Sequence, residues 1–236
     1  MESISLTPIG ILRTPFREKF GIPRQPGLAP HAVCRLVLDE AYARPECFEG
    51  ITGFSHFWLI FLFHGTAEQG WSPTVRPPRL GGNKRLGVFA TRSMFRPNPI
   101  GLSLVELIDV VDGPEGKELL LRGADLLDGT PILDIKPYIP YVESLPHALG
   151  GFAPGTPDLL TVVWQDEALA QARALGVDVA LAALIDEVLA QDPRPAYAED
   201  HHDPERIYGV WLGHVNVRFQ ARGNLATVIS VEARTE

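Results

Sequence analysis

Proline and glycine interrupt this chain so often that long helices are excluded over most of its length. Residues 65–86 (GTAEQGWSPTVRPPRLGGNKRL) hold three prolines and four glycines, which makes the segment a long loop. Residues 91–101 form a second loop containing proline, and residues 13–31 a third, rich in Pro, Gly and cations. The runs between these breaks are short, and they are either alternating or rich in branched and aromatic residues, as strands are. Residues 4–12 read as a strand ending near Arg13. Residues 32–38, 54–63, 87–90, 102–111, 118–121 and 133–135 read as further strands. Many short strands separated by turn signals predict a closed or nearly closed β-structure.

The grain changes after residue 145. Residues 146–157 carry three prolines and three glycines and read as a linker. Residues 159–164 read as a strand and residues 166–191 as helical. There Val177, Leu181, Leu184, Ile185 and Val188 form one apolar face, and Gly176 breaks or caps a first piece. Asp192-Pro193-Arg194-Pro195 stops the helix, because each proline lacks an N–H and forces its predecessor out of the helical region. Residues 208–220 and 225–231 read as a closing hairpin. The expected architecture is a mainly β, barrel-like N-terminal domain over residues 1–145 and a small α+β C-terminal domain over residues 155–236.

The net charge is −8, but it is unevenly spread: residues 1–105 carry +5 and residues 106–236 carry −13. No acidic residue lies between Glu68 and Glu106, a window that holds Arg76, Arg79, Lys84, Arg85, Arg92 and Arg96. Arg13, Arg17, Lys19 and Arg24 form a second basic cluster. Such fields attract phosphates or carboxylates; the alternative is that individual arginines pair with the acidic half. The N-terminus lacks the pattern of a signal peptide, and the most apolar run, residues 57–63, is far short of the ~20 residues that span a bilayer. A soluble, cytoplasmic protein without a membrane partner is expected.

Cys34 and Cys47 are too few for a disulfide framework or a cysteine-based zinc site. His56 and His64 would lie ~26 Å apart on one continuous strand. His201-His202 reads as a solvated loop, and no metal is expected. Neither a G-x-G-x-x-G nor a P-loop nor a G-x-S-x-G elbow is present. What remains is chemistry by rigid loops, which suits a small ligand with several polar groups.

Several of these loops stand together in a specific order. Arg24-Gln25-Pro26-Gly27-Leu28 follows Ile9-Gly10-Ile11-Leu12-Arg13-Thr14-Pro15. Gly53-Phe54-Ser55-His56-Phe57-Trp58 leads to Phe61-Leu62-Phe63-His64. Then come Arg76-Pro77-Pro78-Arg79, Gly87-Val88-Phe89-Ala90-Thr91-Arg92, Arg96-Pro97-Asn98-Pro99-Ile100-Gly101-Leu102, Asp128-Gly129-Thr130-Pro131 and Asp192-Pro193-Arg194-Pro195-Ala196-Tyr197. This collinear set resembles the TsaA-like (TrmO) family of tRNA threonylcarbamoyladenosine N6-methyltransferases. The resemblance implies a barrel-like, non-Rossmann fold that binds S-adenosyl-L-methionine and a homodimeric assembly. It also implies methyl transfer to the exocyclic nitrogen of threonylcarbamoyladenosine at tRNA position 37.

Carried over by motif, the cofactor-binding residues are Gln25, Pro26, Gly27, His64, Gly65, Arg92, Leu102, Asp128, Gly129, Thr130 and Pro131. Gly65 departs from the family pattern, where a side chain such as Gln is expected, so contact there would come from the backbone. The acceptor nitrogen's lone pair is delocalised into the adenine ring and a urea carbonyl. A general base is therefore attractive, and Asp128 and His64 are the candidates. Arg92 or Arg96 would stabilise charge on the urea oxygen. Arg76, Arg79, Arg96, Arg194 and Tyr197 are the candidates for contacting tRNA, with the basic loops 13–24 and 76–96 on its phosphates. Two other readings stay open: a non-catalytic module binding the cofactor or RNA, and a methyltransferase acting on a different RNA or small molecule.

Overall fold

The computed structural model describes residues 4–81, 84–114, 116–194, 203 and 205–233. Its first half contains β1 (Gly10–Arg13), β2 (Val33–Leu38), β3 (His56–Leu62), β4 (Thr74–Val75) and β5 (Leu86–Gly87). It continues with β6 (Ile100–Gly113), β7 (Gly116–Arg122) and β8 (Thr130–Pro137). Six of these close on themselves in the order β1-β2-β7-β6-β3-β8, with β8 pairing back onto β1, and every pairing is antiparallel. Closure follows from the side-chain period of strands. In β3 Phe57, Leu59 and Phe61 point inward and are at most 4% exposed, while the residues between them are half-buried. Leu12, Leu36, Leu119, Leu121 and Ile132 fill the same interior.

Two expected strands change shape. The first is confined to β1, and residues 4–9 precede it without strand structure. Of residues 87–90 only Gly87 is extended; Val88–Ala90 is a single 3-10 turn closed by the Thr91 N–H on the Val88 carbonyl. The long loop after residue 65 is pinned rather than loose. β4 and β5 pair within it, and the Val88 N–H donates to the Pro73 carbonyl at 3.0 Å.

After the one-turn helix α1 (Pro140–Glu143) the second half contains β9 (Thr161–Trp164), α2 (Asp166–Ala174), α3 (Val179–Ala190), β10 (Tyr208–Leu212), β11 (Val215–Arg222) and β12 (Leu225–Ala233). The sheet runs β10-β11-β12-β9, with β9 parallel to β12. Residues 208–220, read as one strand, are two: Gly213 adopts φ +57 and turns the chain between β10 and β11. The helical stretch divides at Gly176 as expected, and the Asp178 carboxylate caps α3 by accepting the Leu181 N–H at 2.8 Å. Leu184, Ile185, Val188 and Leu189 bury the inner face of α3 against the sheet.

The second core also takes Phe16, Ala29 and Ala32 from the N-terminal segment. Phe16 bridges to Leu212, the Gly213 N–H donates to the Pro15 carbonyl at 2.9 Å, and the Trp211 N–H donates to Glu18 Oε1 at 3.0 Å. The segment 13–31, read as a loop rich in cations, thus straps the closed sheet to the C-terminal unit. No helix among the described residues is long and apolar enough to cross a membrane.

Candidate functional site

A cleft of about 810 Å³ lies where the rim of the closed sheet meets the strap and the end of α3. Its walls come from residues 19–25, the end of β3 and the turn after it, Arg76 and Pro78, the 91–96 loop, the start of β6, residues 125–127, Thr130, and Val188, Gln191, Pro193 and Arg194. The size suits a nucleoside-sized ligand.

The β3–β6 register builds one wall. Phe61 lies opposite Gly101, and a Cβ at residue 101 would sit 2.2 Å from Phe61 Cζ. Only glycine leaves room for that ring beneath the cleft. Two residues on, Ser103 lies opposite Leu59 and is fully buried, and its hydroxyl donates to Asp125 Oδ1 at 2.6 Å. Burial pushes the Asp125 carboxyl up from 3.8 to about 6; the Ser103 hydrogen bond and the positive field of Arg92 pull the other way. Arg92 Nη1 donates to Gln25 Oε1 at 2.6 Å. Arg96 Nη1 donates to the carbonyls of Thr91 (2.9 Å) and Ser93 (3.2 Å), so this arginine shapes the loop that carries Arg92. Thr66 Oγ1 and Gln191 Oε1 are buried, line the cleft, and have no hydrogen-bond partner among the described residues.

Of the residues expected to hold a cofactor, Gln25, His64, Gly65, Arg92, Leu102 and Thr130 line this cleft. Pro26, Gly27, Asp128, Gly129 and Pro131 stand behind them. The Gly27 N–H donates to the Gly123 carbonyl at 2.8 Å, the Gly129 N–H to the Leu12 carbonyl at 2.9 Å, and Pro131 pairs with Ile11. At residue 65 even the backbone oxygen is engaged, since Lys19 Nζ donates to the Gly65 carbonyl at 2.8 Å.

The expectation that Asp128 acts as a proton acceptor meets a different arrangement. Its Oδ1 accepts the Thr14 N–H at 2.9 Å, and its Oδ2 is paired with Arg17, with Arg13 at 3.9 Å. The carboxylate anchors its turn to the strap and is not part of the cleft wall. Within the basic cluster at 13–24 each cation also has a partner in the fold. Arg13 and Arg17 neutralise Asp128, Lys19 bonds Gly65, and Arg24 donates to the Asp192 carbonyl at 3.3 Å.

Among the residues expected to meet tRNA, Arg76, Arg96 and Arg194 line the cleft, and Arg79 donates to the Gly155 carbonyl. Arg194 is no surface cation: it is 6% exposed and doubly bonded to Asp192 at 2.6 Å through Nε and Nη2. Tyr197 and His201-His202 lie outside the described residues. Asp125, Ser103, Thr66 and Gln191 carry no motif in the sequence that marks them as site residues. Nothing local marks Asp125, whose character comes from burial and from a serine 22 positions away.

A closed antiparallel sheet whose rim loops and companion sheet enclose one cation-rich cleft defines a ligand-binding β-scaffold outside the Rossmann class. Comparison with known proteins makes the class specific. The family model described as the tRNA-methyltransferase O N-terminal domain matches residues 11–144, and that of the TrmO C-terminal domain matches residues 157–234. The chain belongs to the TrmO family. It is 48% identical over 236 residues to a tRNA (adenine(37)-N6)-methyltransferase of Escherichia coli, covering 99% of this chain and 100% of that one. It is 47% identical over 230 residues to a Pseudomonas aeruginosa protein assigned as an S-adenosylmethionine-dependent methyltransferase, covering 96% and 97% of the two chains. A crystal structure of TrmO from Pseudomonas aeruginosa superposes with a TM-score of 0.81 at 41% identity, covering 98% of this chain and 99% of that one.

Proposed function

We propose that this protein transfers a methyl group from S-adenosyl-L-methionine to the N6 nitrogen of adenosine 37 in tRNA, with the threonylcarbamoyl form of that base as acceptor. One observation carries the reading: the dispersed donor motifs converge. Gln25 and Arg92, 67 residues apart, are bonded to each other in the wall of a cleft that His64, Leu102 and Thr130 also line. The family match over both halves of the chain supports it.

The residues present fit such a donor, a zwitterion joined to a nucleoside. Thr66 Oγ1 and Gln191 Oε1 are orphaned polar atoms in the cleft, and leaving such a group unmet costs ~1–3 kcal/mol. When bound, the donor supplies an electrophilic methyl on a sulfonium whose leaving thioether is neutral. Gln25, His64, Arg92, Leu102 and Thr130 are assigned to hold it. Pro26, Gly27, Gly65, Asp128, Gly129 and Pro131 set the backbone around them. Arg92 has one N–H engaged by Gln25 and keeps other donors for an anionic group, either the threonyl carboxylate or the urea oxygen. Arg96 acts through the loop it holds. Positioning supplies much of the rate in such a transfer.

Arg76 at the cleft and the exposed Lys84 and Arg85 are assigned to the phosphates of the tRNA. The closed sheet serves as a barrel scaffold that offers its rim to the donor. Two domains, residues 1–145 and 155–236, belong to the same proposal, and the two separate cores support it. A homodimer is the assembly this reading carries over, and the exposed Tyr141, Leu145 and Leu149 supply apolar surface for it.

The experiment is nucleoside mass spectrometry of tRNA incubated with the protein and the methyl donor. A gain of one methyl on threonylcarbamoyladenosine, with none on tRNA lacking that group, is expected. No gain on either would reject the reading.

A further inference from the structure

The cleft wall carries Lys19 and five arginines, Arg24, Arg76, Arg92, Arg96 and Arg194, against a single carboxylate among the described residues, Asp125. Asp125 stands at the cleft in a built setting. The buried Ser103 hydroxyl on β6 fixes Oδ1 at 2.6 Å, and no other side chain hydrogen-bonds this carboxylate among the described residues. Arg92 acts on it from the 91–96 loop, and Cys34 on β2 feels its field from behind. That thiol, pushed up by burial to about 12, stays neutral through the range in which Asp125 titrates.

We propose that Asp125 is the general base of the reaction, taking the proton from the acceptor nitrogen N6; the inference rests on the methyl-transfer reading above. As the N6–carbon bond forms, the carbon–sulfur bond breaks and its electron pair leaves on the neutral thioether. The N6 proton passes to Asp125 and then to solvent. The charge argument favours this role over that of a donor-binding group. Methyl transfer moves positive charge from sulfur to nitrogen. A carboxylate beside the sulfonium would stabilise the ground state, whereas one beside N6 stabilises the charge that develops. A carboxyl raised to about 6 is mostly ionised at neutral pH and is still basic enough to accept the proton. Asp128 cannot compete for the role, because Thr14 and Arg17 occupy its oxygens.

The test uses the full chain, Asp125→Asn and Ser103→Ala, with threonylcarbamoylated tRNA. Three readouts are taken: donor affinity by calorimetry, single-turnover rate against pH, and a carboxyl-carbon NMR titration. In the wild type kcat/KM for the donor falls with acidity below about pH 6, and one aspartate carboxyl titrates there and is missing from Asp125→Asn. Asp125→Asn binds the donor within about threefold of wild type but transfers at least ~100-fold more slowly, with the acid limb gone. Ser103→Ala keeps its rate at high pH and moves the limb upward, because the hydrogen bond that favours the ionised form is lost. An Asp125→Asn protein that loses donor affinity but keeps the limb and rate at saturating donor overturns the proposal. So does a Ser103→Ala limb that does not move. An active wild type with an equally active Asp125→Asn removes this proposal alone, whereas a wild type that methylates no tRNA removes the underlying reaction as well.

Discussion

Replacing Asp125 by asparagine removes an ionisable group from a position that resists ionisation, so the cost of that burial becomes measurable as stability. Asparagine keeps the carbonyl that accepts the Ser103 hydroxyl and never ionises. In the wild type the carboxyl sits at about 6 in the folded chain and near 3.8 unfolded. Between those values the native state holds the proton more tightly than the unfolded state, so stability falls as pH rises through the window and stays lowered above it. At ~1.4 kcal/mol per pH unit, the difference between 3.8 and about 6 sets a ceiling of ~3 kcal/mol. For a chain of this size that corresponds to a Tm difference of about 6 to 12 °C at most. Thermal melts of both proteins from pH 4 to pH 8 should show similar Tm values at the acid end, an advantage of the variant that grows up to about pH 6, and a constant gap above it. A Tm difference that does not change across that range would refute the burial argument.

Three other outcomes are expected. Arg92→Ala removes the hydrogen bond to Gln25 and a cation from the cleft, and should weaken donor binding by at least ~10-fold in calorimetry, as loss of a charged hydrogen bond does. Gly101→Ala places a Cβ 2.2 Å from Phe61 Cζ and should cost ~1–3 kcal/mol in a denaturant titration, with donor affinity falling as the wall shifts. Arg76→Ala should weaken tRNA binding and reduce the slope of log affinity against log salt by ~1, leaving donor affinity unchanged.

The sheet was readable where burial alternates. HFWLIFL carries an apolar residue at every inward position, and strand β3 lies within the residues so read. The loops of the cleft were readable as motifs, and Gln25, His64, Arg92 and Leu102 line the same cleft. The strap was not readable. Phe16 and Ala29 stand among prolines, glycines and cations, so no period marks them as core, and the β10 end of the second sheet supplies the strand neighbour of Phe16. The cations of the same segment looked available for phosphate until Asp128, more than a hundred residues away, came beside Arg17. Asp125 was invisible for a related reason. A lone acid before two leucines reads as a loop residue, and its raised affinity for the proton comes from burial that exists only once the chain has folded around it, against the pull of the Ser103 hydrogen bond. Gly213 shows the local version of the same limit, since an apolar run holding Gly209 and Gly213 reads as a single strand until the backbone at Gly213 turns at φ +57.

The central claim is that one cleft, shared between the rim of the closed sheet and the C-terminal unit, holds the methyl donor. A crystal structure of the full chain with S-adenosyl-L-methionine tests it most directly. The donor is expected in contact with Gln25, Arg92 and Leu102, its methyl group open to the side where Asp125 stands. Donor density in the separate depression formed by Leu28, Leu160 and Glu187, with the main cleft empty, would contradict it.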